Sequence, residues 1–216
     1  MNSDVTDPAG AWIDGPAGRL QVHIDEPQTS RPGAAVVCHP HPQYGGTMHN
    51  KVVHTLVRAF NLAGLPALRF NFRGVQDSEG TYDEGRGEVD DVLAAVHAAR
   101  ARWPQGPLWL AGFSFGAAAA LRAAGDALPD GGLVTVAPPV GYFAARPLTG
   151  LPAAPWLLVQ GDADDVVDPP EVLTWASRQQ PEPVVHVLEG VGHFFHGHLP
   201  QLRSLVQTFV HEHSPA

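Results

Sequence analysis

Apolar residues in this chain gather into short runs with almost no polar alternation, at positions 34–38, 65–70, 108–111, 133–136, 156–160 and 184–188. Runs of that length predict strands covered on both faces, the form strands take in a parallel sheet. Between most of them the spacing changes to the helical period. Val52, Val53, Leu56, Val57 and Phe60 share one face, Val89, Val92, Leu93 and Val96 a second, and Leu199, Leu202, Leu205, Val206 and Phe209 a third. Near the start, 11–13 and 19–24 flank a turn-forming cluster at 14–18 and predict a hairpin. Strand and helix alternate along nearly the whole length. The expected fold is therefore α/β: a mostly parallel central sheet of about seven or eight strands with helices on both faces. The stretch from 137 to 154 between two strands is too short to hold a cap domain.

Composition narrows this picture. With 216 residues, 44% of them hydrophobic, the chain can bury one substantial core, and a single domain over 1–216 is expected. The net charge of -9, with 13 lysines and arginines scattered singly, leaves no basic stripe for a phosphate backbone and no polybasic membrane patch. The expected partner is a small molecule, with no nucleic acid and no membrane. No apolar run approaches the roughly 18 residues of a membrane span. Residues 1–10 carry no export leader, and Cys38 has no second cysteine to pair with, so the cytoplasm is the expected compartment.

The candidate chemistry centres on residues 108–124, LWLAGFSFGAAAALRAA, which read as strand, sharp turn and helix. A serine on such a turn is pushed out of the sheet with its hydroxyl exposed, so Ser114 is the candidate nucleophile. Gly112 and Gly116 are explained sterically, because a side chain at either would strike the backbone packed beside the turn. A serine needs an imidazole to take its proton and a carboxylate to orient that imidazole. His193, bracketed by glycines after the last strand, offers the first, and Asp162, Asp164 or Asp165 after the 156–160 strand offers the second. An oxyanion hole is sought after the 34–38 strand, where Pro40 and Pro42 lack N–H groups and leave the His41 amide as donor, paired with that of Phe115. His39, His41, His193, His196 and His198 also raise a metal-dependent hydrolase, but histidine pairs without an HExxH helix or paired carboxylates are weak zinc signals. No metal and no cofactor is expected.

Five motifs, HPHPQYGG (39–46), FNFRGVQDSEG (70–80), GFSFG (112–116), GDADDVV (161–167) and GHFFHG (192–197), occur in an order that resembles the α/β-hydrolase superfamily. The chain is most similar to small capless bacterial serine hydrolases, related in pattern to dienelactone hydrolases and prolyl-oligopeptidase-type domains. The resemblance implies Ser114 as nucleophile, His193 as base, Asp164 as the orienting acid, and His41 and Phe115 as oxyanion donors. It does not fix the substrate; hydrolysis of a small carboxylic ester, or a thioester, through an acyl-serine is the expected reaction of such a triad. A peptidase or amidase would use the same residues.

Overall fold

The computed structural model describes residues 11–143, 148 and 150–214. In chain order the elements are β1 (Ala11–Gly15), β2 (Gly18–Asp25), β3 (Ala34–Cys38), α1 (Lys51–Leu62), β4 (Ala67–Phe70), α2 (Gly87–Arg102), β5 (Leu108–Phe113), α3 (Phe115–Ala127), β6 (Gly132–Val136), β7 (Trp156–Gly161), α4 (Pro169–Ala176), β8 (Val184–Leu188) and α5 (Leu199–Glu212), with 3-10 turns at Pro42–Tyr44 and Val140–Phe143. All eight strands join one sheet, ordered β1-β2-β4-β3-β5-β6-β7-β8. The N-terminal hairpin runs antiparallel along one edge, and β3 through β8 pair in parallel. This is the architecture the alternating pattern predicts.

The unbroken apolar runs divide their residues between two faces. On β3, β5 and β7, Ala34, Val36, Leu108, Leu110 and Leu158 point to one side, where α2, α3 and α4 cover them. Ala35, Val37, Trp109, Ala111, Leu157 and Val159 point to the other, against α1 and α5. Two cores share one sheet, and that is why these strands cannot alternate with polar residues. The alanines of α3 let that helix lie close to the sheet, and Ala117, Ala120, Ala123 and Ala124 are completely buried.

Two elements depart from the sequence reading. The apolar run at 184–188 predicts a strand covered on both faces, yet β8 lies at the sheet edge, with Val184, Val185 and Val187 exposed. Periodicity reports apolar character, and it cannot tell an edge from a centre. Helix α4 gave no periodic signal because it spans only two turns and opens on two prolines; Asp168 caps it by accepting the Glu171 N–H, and Val172 and Ala176 face inward. Residues 1–10, read as lacking a leader, lie outside the described residues, as do 144–147 and 149 of the stretch read as too short for a cap. Among the described residues no helix is long and apolar enough to cross a membrane.

Candidate active site

Ser114 occupies the single position between the end of β5 and the start of α3, with φ 53° and ψ -122°. A side chain in that region is strained, and the neighbouring contacts hold it there. The Ser114 N–H donates to Val136 O on β6 at 2.8 Å, while its carbonyl accepts from the Ala117 and Ala118 amides. The flanking glycines are required by space. A Cβ on Gly112 would sit 2.3 Å from Gly116 O, and one on Gly116 would sit 2.4 Å from the carbonyl oxygens of Cys38 and His39. The turn is thus wedged between its own helix and the end of β3.

The loops after β7 and β8 bring two further groups to this point. His193 Nε2 lies 3.1 Å from Ser114 Oγ, and His193 Nδ1 lies 2.8 Å from Asp164 Oδ2. The three side chains form one hydrogen-bonded line, nearly sealed from solvent. Phe113 and Phe194 pack against the imidazole at centroid distances of 5.0 and 5.1 Å. Asp164 is held from all sides: Gln160 Nε2 donates to Oδ2, and the amides of Val166 and Val167 donate to Oδ1. Burial alone would push its carboxyl up, but the hydrogen bond from His193 and those two amides outweigh it and hold the group below its ordinary value. The neighbouring aspartates do other work or none here. Asp162 accepts the Gly190 N–H and so ties the two loops together, and Asp165 is exposed.

His41 lies just beyond β3, at the head of the 3-10 turn Pro42–Tyr44. Its ring packs against that of Phe115 at 4.9 Å. Neither the His41 nor the Phe115 amide is spent on a hydrogen bond to another described residue, and Phe115 opens helix α3, where backbone N–H groups and the helix dipole favour negative charge. The remaining histidines are dispersed. His39 is wholly buried, accepts the Phe72 N–H on Nε2 at 3.0 Å, and is pushed down to about 3 by burial. His196 packs on Phe194, and His198 approaches Gln201. Among the described residues no group of three or more His, Cys, Asp or Glu side chains is placed to hold a metal ion.

Gln160, Phe113 and Phe194 are not marked as site residues by the sequence pattern. The signal for Gln160 was a polar residue closing an otherwise apolar strand. Nor does the pattern mark Tyr82, whose hydroxyl stands 3.2 Å from His41 Nε2, because nothing in a polar loop ties it to a residue 41 positions away.

Residues 31–153 match the family described as serine aminopeptidase, S33. An uncharacterized protein of Rickettsia prowazekii is 33% identical over 193 residues, covering 85% of this chain and 81% of its own. Two solved structures are similar throughout. A serine hydrolase without a lid from Xanthomonas campestris is 41% identical, with a TM-score of 0.91 over 100% of this chain and 98% of that one. A serine hydrolase homologue from Coxiella burnetii is 43% identical, with a TM-score of 0.89 over 95% and 99%.

Proposed function

The chain belongs to the α/β-hydrolase superfamily as a lidless serine hydrolase, and on that premise we propose that it cleaves small carboxylic esters, thioesters included, through an acyl-serine intermediate. The observation that carries this reading is the line Ser114 Oγ, His193 Nε2, His193 Nδ1, Asp164 Oδ2, with both links at hydrogen-bond distance.

In this reading His193 Nε2 takes the hydroxyl proton as Ser114 Oγ forms a bond to the ester carbonyl carbon. The charge on the imidazole is met by Asp164, whose environment already favours the carboxylate. The negative carbonyl oxygen of the tetrahedral intermediate is received by the His41 and Phe115 amides. When that intermediate collapses, the C–O bond to the alcohol breaks and His193 gives its proton to the leaving oxygen. Water then repeats the sequence on the acyl-serine and frees the acid. Apart from that water, every group this reading uses is a side chain or amide of the chain.

A second reading, hydrolysis of an amide or peptide with the same residues, is favoured by the family match, whose description is a serine aminopeptidase. It asks more of His193, which must protonate an amine leaving group. A panel of short p-nitrophenyl esters, thioesters and aminoacyl anilides separates the two, with fluorophosphonate labelling of Ser114 as the common control. Turnover of anilides in preference to esters would replace the first reading with the second.

A further inference from the structure

The imidazole of His41 has a polar partner at each ring nitrogen. Gln43 N–H donates to His41 Nδ1 at 3.2 Å, which requires that nitrogen to carry a lone pair. The ring proton then resides on Nε2, which faces the Tyr82 hydroxyl oxygen at 3.2 Å. The ring also packs against those of Tyr44, Phe115 and Tyr82 at 4.6, 4.9 and 5.2 Å. Tyr82 is itself anchored, because the amides of Asp83 and Gly85 donate to the buried Glu88 carboxylate at 2.8 and 2.7 Å and fix this loop to the start of α2.

We propose that Tyr82 is a positioning residue for the oxyanion donor: by accepting from His41 Nε2–H it selects the tautomer whose Nδ1 caps Gln43, and so fixes the turn that aims the His41 amide. The proposal rests on the reading of Ser114 as nucleophile and of His41 as an oxyanion donor. Two further features agree with it. Burial first, with the neighbouring Tyr142 and Glu88 adding to it, pushes the Tyr82 phenol up to about 12, which favours the neutral hydroxyl. Burial lowers the pKa of His41, which favours the uncharged ring that alone can accept from Gln43.

The test is a pair of substitutions in each other's background, assayed on p-nitrophenyl acetate with Ser114→Ala as reference. Tyr82→Phe keeps the ring and removes the acceptor. We expect kcat to fall about tenfold with KM within about twofold, because an interaction made in the transition state is weakened while ground-state binding is kept. His41→Asn supplies a side-chain oxygen that can cap Gln43 without any tautomer to select. In that background Tyr82→Phe should change kcat by less than about twofold. An equal loss in both backgrounds, or no loss in the first, overturns the proposal. If Ser114→Ala is inactive while Tyr82→Phe matches the parent, only this inference falls; if Ser114→Ala retains activity, the serine reading falls and takes it along. Nitrogen-15 spectra of the unsubstituted protein give a check that needs no variant to fold: His41 should carry its proton on Nε2, and a dominant Nδ1–H form refutes the selection.

Discussion

Asp164 Oδ2 meets His193 Nδ1 at 2.8 Å while Asp164 Oδ1 is pinned by the amides of Val166 and Val167 at 2.9 and 2.8 Å. A carboxylate engaged on both oxygens cannot swing away, so the imaging of its charge onto the imidazole is fixed and Nε2 stays turned toward Ser114. Asp164→Asn keeps the shape but offers His193 a different pattern of donors. Turnover should fall by as much as about 10⁴ with substrate binding kept, the size seen when the same change is made in a chymotrypsin-type triad. Asp162→Asn and Asp165→Asn should cost little by comparison. A crippled Asp165→Asn beside a mild Asp164→Asn contradicts this assignment.

Ser114 combines the reactive hydroxyl with a strained backbone, and the two can be separated by substitution. Ser114→Ala and Ser114→Gly should both abolish ester hydrolysis. Glycine tolerates φ 53° without a Cβ penalty, so Ser114→Gly should unfold at higher urea than Ser114→Ala, by about 1 kcal/mol. A Ser114→Gly midpoint below that of Ser114→Ala, the order that the greater unfolded-state entropy of glycine gives at an unstrained position, would show that the turn carries no such strain.

The arrangement of these groups was legible in the sequence to the extent that it followed from local rules. Strand, turn and helix around Ser114 were marked by apolar runs and by two glycines whose steric reason the backbone of Cys38, His39 and Gly116 now supplies. The run at 184–188 was legible as a strand but not as an edge, because exposure depends on which neighbour is absent. The loop geometry that selects Asp164 among three aspartates follows a family pattern, while the contacts that hold it, from Gln160 and from the Val166 and Val167 amides, all lie within four residues and arise only once the turn is folded. Tyr82 had no signal at all. Its meeting with His41 is created by the fold of the 70–86 segment and by no spacing along the chain.

Gly116→Ala tests the wedge beneath the turn. The added methyl would lie 2.4 Å from two carbonyl oxygens at the end of β3, and both are backbone, so relief requires helix α3 to move from the sheet. A destabilisation above about 2 kcal/mol is expected, with activity lost in parallel as Ser114 shifts. A variant as stable and active as the parent would mean the helix adjusts freely.

Tyr44, Val166 and Phe194, on the loops after β3, β7 and β8 that carry His41, Asp164 and His193, are 86%, 61% and 48% exposed. Side chains left so open form no wall around a long acyl chain, and each added CH₂ falls short of the roughly 0.8 kcal/mol that full burial yields. We expect kcat/KM to be greatest among short acyl esters and to level off or fall beyond them. A steady rise from acetyl to palmitoyl would overturn this.

His39 predicts how stability responds to acid. Its ring is wholly buried between β3 and Phe72, and burial lowers its pKa from 6.5 to about 3, an effect only partly opposed by the Pro40 carbonyl. The folded value is depressed, so between these two limits the unfolded chain binds a proton that the folded chain refuses. Stability therefore rises with pH through this window and is lost on acidification, starting near the unfolded value and continuing toward the folded one, at about 1.4 kcal/mol per pH unit. His39→Gln keeps an acceptor for the Phe72 amide and removes the titration. Urea unfolding from pH 7 to pH 4 should show the parent losing stability more steeply than the variant by about that slope, since all other titrating groups are common to both. Parallel curves would mean that the His39 ring takes up its proton as readily in the folded chain as in the unfolded one.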